Sequence, residues 1–273
     1  MTVHGRSRNL FELIGSCVIG VFVYMGGMFL LGVDAAKWTI KGASPSRGGF
    51  RWSALSAQMV RVGFKSLSIV VLIQTFLGVI LALQLAPTLS DYGQVDKVAT
   101  IIGIGGFRMI GPIITAVVLS GFAGASIAAE LGTMVVSEEI EAMEAMAMNP
   151  VRFLVVPRVI ATLISMILLT VIADLLICVG GYITCRLALG PEAYLTYWNN
   201  ISSAVRVRDM ATGLVQSGVF GILIGLIACH EGLKVRGGAE GVGRATTMTV
   251  VFSLVATVLA ACIFTVAFFL FNI

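Results

Sequence analysis

The chain has 273 residues, of which 58% are hydrophobic and only 12% are charged, with a net charge of +4 and a mean hydropathy of +1.00. Soluble domains are about half apolar and about a quarter charged, so this composition excludes a disordered chain and an ordinary water-soluble fold. Five Cys without a C-x-x-C pair and only two His predict neither a disulfide framework nor a metal site. We therefore predict a polytopic, all-α membrane protein.

Apolar stretches alternate with polar segments along the whole chain. A helix needs about 20 apolar residues to cross a hydrocarbon core roughly 30 Å thick. The stretches cover residues 10–33, 66–86, 99–129, 151–189, 210–229 and 245–271. Pro87 is predicted to end the second of them. The last five are predicted to span the membrane. Because no internal repeat is visible, residues 1–273 are predicted to form a single membrane domain with its five-span core at 65–273.

The first apolar stretch, 10–33, has three open interpretations. Arg6 and Arg8 precede it as they would in a signal peptide. Its length also fits a sixth span. A helix lying in the cytoplasmic interface would instead keep both arginines on the cytoplasmic side. A basic linker follows, so residues 1–64 are predicted to form an N-terminal segment apart from the five-span core.

A charged insert at 130–150 separates the second and third predicted spans. Most Lys and Arg residues outside the spans fall on the side of this insert, which predicts that it is cytoplasmic and that the C-terminus lies on the other side. Ser137 is a favourable N-cap, followed by two acids in the first turn. Pro150 is predicted to end the helix. We expect about three turns, at about 136–149.

The insert helix is acidic and carries several methionines. Ile140, Met143 and Ala147 share one face, while glutamates occupy the other sides. Such a helix is suited to docking into a groove on another protein. The alternative is a solvated loop helix whose methionines rest on the bilayer.

Several motifs, in order and correctly spaced, resemble the MlaE/YrbE-type permease family. They are Ala-Glu-Leu-Gly at 129–132, Glu-Glu-Ile-Glu-Ala-Met at 138–143, Met-Asn-Pro at 148–150, Leu-Val-Val-Pro-Arg at 154–158 and Gly-Arg-Ala-Thr-Thr at 243–247. The resemblance extends from about residue 66 to the end of the chain. It implies an N-terminal interfacial (elbow) helix, five transmembrane helices and a cytoplasmic coupling helix formed by the insert.

The resemblance also implies a function. Permeases of this family are membrane subunits of ABC transporters that move phospholipids between membranes, together with an MCE-domain lipid-binding protein. They are homodimers in the inner (cytoplasmic) membrane, and a separate ATPase subunit binds ATP and receives the coupling helix. This chain lacks G-x-x-x-x-G-K-[ST]. It is therefore expected to be no enzyme, to hold no cofactor of its own and to bind no nucleic acid.

Two groups of functional residues follow from the resemblance. A lipid pocket at the homodimer interface would be formed by Leu81, Leu89, Tyr92, Arg108, Met109 and Ile110. Coupling to the ATPase would be performed by Glu138, Glu139, Glu141, Met143, Glu144 and Met146. The chain departs from the family pattern next to Arg108, where Met109 replaces an acid that would neighbour the arginine. It departs again at 121–124, where the family often has an arginine.

Charged groups within apolar stretches give further hypotheses. Such a charge costs about 2.5–3.5 kcal/mol at the centre of a membrane helix, so it implies a partner, a water-filled cavity or an interfacial position. Arg108 is expected to face a lipid phosphate, to pair with an acid on another helix or to extend its charged end to the membrane interface. Asp174 is expected to be a buried acid, either hydrogen-bonded or protonated. Glu130 is expected to orient the coupling helix, with Arg152 or Arg158 as its partner.

Two alternative functions use the same residues. A gradient-driven secondary transporter would employ Asp174, Arg108 or Glu130 as an ion relay. A purely structural membrane scaffold would have no effect on lipid distribution.

Overall fold

The computed structural model describes residues 4–42 and 52–271, which are helical apart from short turns. Five helices in this described part are long and apolar enough to cross a membrane: α2 (Trp52–Asp91), α3 (Lys97–Val136), α5 (Val151–Leu189), α8 (Val207–Leu233) and α9 (Gly238–Leu270). The others are α1 (His4–Gly42), α4 (Glu139–Ala145), α6 (Pro191–Leu195) and α7 (Tyr197–Ala204). The prediction of a polytopic, all-α membrane fold is confirmed.

The helix α2 continues through Pro87 and ends only at Asp91, so the prediction that Pro87 ends this helix was wrong. Proline removes one backbone hydrogen bond, to the carbonyl four residues earlier. Here that residue is Leu83, which is 49% exposed. Membrane helices tolerate proline where the freed carbonyl finds another partner.

The helix α5 lies at the centre of the bundle and packs closely against α2 and α8. Gly78 of α2 contacts the carbonyl of Ile177, and Gly180 of α5 contacts the carbonyl of Thr75, so the two backbones touch twice. Against α8, Gly221 lies against the backbone of Leu163. Small residues allow membrane helices to approach this closely.

The buried residues form two clusters, at the two ends of the bundle. One cluster surrounds Met166, Phe220 and Ile224 and extends to the end of the bundle that carries α4. We call this end the insert end. The other, around Ile102 and Tyr197, lies at the opposite end, under α6 and α7.

Tyr197 fixes the short helices of the opposite end to the bundle. Its buried hydroxyl donates a hydrogen bond to the carbonyl of Cys178 at 2.9 Å, and its ring meets Tyr182 edge-on. Burial raises the pKa of the Tyr197 phenol. This residue lies outside the spanning helices, and its hydroxyl serves as a fixed donor.

The helix α1 crosses the insert end of the bundle. Gly27 lies against the ring of His230, close to the end of α8, and Gly32 lies against Leu226. Farther along α1, the ring of Trp38 contacts the first turn of α5. The guanidinium of Arg152 lies 5.4 Å from the centre of this ring. A helix packed across helix ends is the arrangement expected at a membrane interface, and interfacial placement stays a prediction. Residues 43–51 of the predicted basic linker lie outside the described residues.

The insert helix α4 is shorter than predicted, because it spans Glu139–Ala145 and not about 136–149. Glu138 and Ala147 adopt left-handed backbone angles (φ 59° and 57°), which stop the helix on both sides. Ser137 is not its N-cap: its hydroxyl donates back to the carbonyl of Thr133 and ends α3.

Pro150 does not end α4 either. It follows Asn149, whose side-chain oxygen accepts hydrogen bonds from the backbone N–H groups of Val151 and Arg152 (3.0 and 3.3 Å). This is the pattern of a helix N-cap with proline in the first turn. Asn149 and Pro150 therefore begin the next helix.

Candidate functional site

The surface of α4 is acidic and open. Glu138, Glu139, Glu141 and Glu144 are all exposed, and within the described ranges none of them forms an ion pair. Three residues were expected on the apolar face. Ile140 and Met143 are half-buried, whereas Ala147 is exposed and lies beyond the end of α4.

Met146, also assigned to ATPase coupling, is 63% exposed. The structure thus brings all six predicted coupling residues together on one short segment. The carboxylate of Glu139 accepts a hydrogen bond from the hydroxyl of Ser137 at 3.0 Å. Four negative charges without an ion-pair partner among the described residues form a surface that complements a basic groove.

The loop after α4 is tied to α1 and α5. Asn149 caps the first turn of the following helix, and this turn presents Arg152 to Trp38 of α1. The same guanidinium lies 5.5 Å from the centre of the Phe153 ring. Displacement of α4 would therefore disturb the contact between α1 and α5.

Glu130 joins three spanning helices at the insert end. Its carboxylate lies 3.1 Å from the guanidinium of Arg158 on α5 and 2.5 Å from that of Arg61 on α2. Arg158 is buried and also donates to the carbonyl of Leu154 at 2.8 Å. Of the two partners that the sequence offered for Glu130, Arg158 is the one observed.

Arg61 was missed as a partner of Glu130. It belongs to a long basic stretch, and nothing in the sequence distinguishes it from its neighbours there.

The six residues predicted to line a lipid pocket lie at the opposite end of the bundle. Leu81, Leu89 and Ile110 are half-buried against the cluster around Ile102. Tyr92 is 76% exposed at the end of α2, while Met109 is 47% exposed on α3. The structure therefore places three of these side chains against the core and leaves two open on the surface of the single chain.

Arg108, the sixth residue, pairs with an acid on another helix. Its guanidinium lies 3.7 Å from a carboxylate oxygen of Asp209, at the start of α8. The other oxygen of Asp209 accepts a hydrogen bond from the backbone N–H of Arg206 at 3.0 Å. The acid that pairs with Arg108 thus comes from a different helix and is not its neighbour in sequence.

A buried polar cluster lies between α2, α3 and α5. Gln74 donates to the carbonyl of Gly111 (3.3 Å) and to the hydroxyl of Thr115 (3.0 Å). Asp174 is 2% exposed and presses one carboxylate oxygen against Gly111. That oxygen has no hydrogen-bond partner in the described part of the chain. Sequence reasoning found Asp174 but missed Gln74, which is an uncharged residue in an apolar run.

Five apolar spanning helices, joined by ionic contacts between helices, define a multi-pass membrane protein. Residues 55–267 match the family described as Permease MlaE. The chain belongs to this MlaE permease family, as its motifs predicted.

Named relatives agree with this assignment. A probable ABC transporter permease protein of Rickettsia felis is 36% identical over 219 residues, which cover 80% of this chain and 83% of the relative. The chloroplastic protein TRIGALACTOSYLDIACYLGLYCEROL 1 of Arabidopsis thaliana is 32% identical, over 82% of this chain and 63% of the relative. The intermembrane phospholipid transport system permease protein MlaE of Haemophilus influenzae is 29% identical, over 89% and 91%. This chain is a transport subunit, the permease of an ABC transporter.

Proposed function

We propose that this chain is the permease of an ABC transporter that moves phospholipids between membranes, working as a homodimer in the inner membrane. The name of the Haemophilus influenzae relative supports phospholipid as the cargo. In this proposal a separate ATPase binds ATP, and an MCE-domain lipid-binding protein exchanges lipid with the permease on the far side.

The observation that carries the proposal is the open acidic surface of α4. An ATPase subunit with a basic cleft would receive Glu139, Glu141 and their neighbours without having to break any internal ion pair among the described residues. The insert end is then cytoplasmic. The helix α9 begins there, where Val242 lies beside Gly132, and runs away from it, so the C-terminus would lie on the non-cytoplasmic side.

Motion of α4 would reach the whole bundle. The helix is flanked by α3 and α5, and Glu130 links both of them to α2 through Arg158 and Arg61. Since α2 and α5 touch through their backbones, a shift at the insert end would be transmitted to the opposite end. Packed helices transmit such shifts because they move as rigid elements.

The lipid pocket would form at the opposite end, between two copies of the chain. Tyr92 and Met109 are exposed in the single chain, as expected of residues that face a second subunit or a lipid. Arg108 would lie near the phosphate while it remains paired with Asp209.

The ATPase contact is tested by charge reversal. The double variant E139K/E141K should abolish co-purification of the ATPase subunit, since attraction at the contact becomes repulsion. The control D91K/D96K changes as many charges at the opposite end of the bundle and should leave co-purification intact. Equal recovery of the ATPase with both variants would show that α4 is not its docking surface.

The lipid pocket has a separate test. Replacing Leu81 or Ile110 with Trp should reduce photocrosslinking of the permease to phospholipid, because the added ring occupies pocket volume. The control L187W changes a residue that is 81% exposed at the same end. Unchanged crosslinking in L81W and I110W would remove these residues from the site.

A further inference from the structure

A second candidate site lies at the insert end, far from the proposed lipid pocket. A cavity of about 360 Å³ opens between α1, the end of α8 and the beginning of α9. The lining residues that matter for its chemistry are Tyr24, Glu231, Lys234, Arg236, Arg244 and Phe252. None of the six residues predicted to bind lipid contributes to it.

Glycines in the connection between α8 and α9 shape the turn that borders this cavity. Gly237 and Gly238 have positive φ angles of 89° and 72°, which lets the chain reverse within a few residues. Gly241 then packs against the carbonyl of Arg236. Val235 is 7% exposed and lies against Gly132 of α3, which anchors the turn. The basic side chains of the turn are thus held around one concavity.

The charges around the cavity are unbalanced. Lys234, Arg236 and Arg244 face a single acid of the lining, Glu231, and in the described residues none of the three bases forms an ion pair. By contrast, Arg61 and Arg158 at the same end both pair with the carboxylate of Glu130. Uncompensated positive charge in a concavity attracts anions.

The uncharged walls indicate what kind of anion would fit. The ring of Tyr24 lies 4.9 Å from that of Phe252, and the Lys234 ammonium lies 5.6 Å from the centre of the Tyr24 ring. These aromatic groups belong to α1 and to the spanning helix α9. A soluble phosphate would need no apolar wall, whereas a glycerophospholipid carries its phosphate on a glycerol that is also esterified to two apolar acyl chains.

We propose that this cavity binds the headgroup phosphate of an anionic glycerophospholipid from the leaflet at the insert end. Arginine forms bidentate hydrogen bonds with phosphate oxygens, which suits Arg236 and Arg244. Basic pockets between membrane helices on the cytoplasmic side bind acidic headgroups by this chemistry. The bound lipid would join α1 to α8 and α9. This site goes beyond the proposed function, since its occupation requires neither the ATPase nor lipid transfer.

Binding can be measured on the full-length protein in detergent. Native mass spectrometry would count retained phosphatidylglycerol and, in parallel, phosphatidylcholine with the same acyl chains. The wild type should retain phosphatidylglycerol preferentially. The variant R236Q/R244Q should bind it about thirtyfold more weakly, since each basic side chain at such a surface contributes about fivefold. The variant R236K/R244K keeps the charges and should retain most of the binding.

A matched control separates this site from general charge effects. The variant R186Q/R208Q removes two exposed arginines near the opposite end and should bind phosphatidylglycerol like the wild type. Thermal unfolding of each variant checks that the fold is kept. The proposal would be overturned if R186Q/R208Q lost as much phosphatidylglycerol binding as R236Q/R244Q. It would also be overturned if the wild type retained phosphatidylcholine as well as phosphatidylglycerol.

Two further results would assign the cavity to another ligand. Displacement of phosphatidylglycerol by inorganic phosphate at millimolar concentration would show a site for a soluble anion. Loss of ATPase co-purification in R236Q/R244Q with unchanged lipid binding would show a protein contact. Either result would overturn the assignment to a lipid.

Discussion

The guanidinium of Arg108 on α3 lies 3.7 Å from the carboxylate of Asp209 at the start of α8. The side chain of Arg108 is 36% exposed and that of Asp209 is 11% exposed, so the pair is largely sheltered. Three sequence hypotheses were open for Arg108: contact with a lipid phosphate, pairing with an acid on another helix, or extension of its charged end to the membrane interface. The structure contains the second arrangement, which also leaves one side of the guanidinium near the surface.

This pair should stabilise the bundle measurably. A double-mutant cycle with R108Q and D209N should give a coupling energy of about 1 kcal/mol, since the pair is partly desolvated but retains some exposure. Chemical unfolding in detergent measures it. The control cycle, K97Q with D96N, concerns two side chains about half exposed and 3.9 Å apart. Its coupling should be below about 0.5 kcal/mol. A coupling no larger than that of the control cycle would show that the Arg108–Asp209 pair stabilises the protein no more than an exposed pair does.

The spanning helices were predictable because each is a long apolar run, and a run of that length has few alternatives to a membrane helix. The position of α4 was predictable for the opposite reason, since charged residues interrupt the apolar pattern there. Its limits were not, because they depend on the left-handed backbone of Glu138 and on the hydrogen bonds of Asn149. The partners of Arg108 and Glu130 come from other helices, and one sequence does not record which helices are neighbours.

Gly78 should tolerate no side chain. In G78A the new methyl group would overlap the carbonyl of Ile177, so α2 and α5 would have to separate. The expected loss is about 2 kcal/mol of unfolding free energy, typical of overpacking. Thermal unfolding in detergent would detect it as a lower midpoint.

Gly121 provides the matched control, because nothing lies within 4 Å of a methyl group added there. G121A should leave stability unchanged or raise it by up to about 1 kcal/mol, as alanine is the better helix former. If G78A were as stable as G121A, the close approach of α2 and α5 would not be required for folding.

Glu130 should contribute strongly to the stability of the helix packing at the insert end. E130Q keeps the size of the side chain but leaves the buried guanidinium of Arg158 without its acid. Removing one partner of a buried ion pair costs about 3 kcal/mol. The variant R61Q removes the partner whose side chain is 46% exposed, and should cost about 1 kcal/mol or less. The order of these two losses is the test: a larger effect from R61Q would contradict the central role assigned to Arg158.

Substitution of Asp174 distinguishes the hypothesis of ATP-driven transport from that of gradient-driven transport. D174N keeps the shape of a side chain whose Oδ1 has no hydrogen-bond partner in the described residues. Its unfolding free energy should therefore be unchanged or about 1 kcal/mol higher, because no paired charge is lost. D174E is the steric control: its extra methylene must enter the space beside Gly111, which should cost about 1–3 kcal/mol. ATP-driven lipid transfer between vesicles should persist in D174N, since the energy enters at α4. A gradient-driven transporter with Asp174 as its relay would instead lose transport in a stable D174N protein, and that result would favour the alternative function.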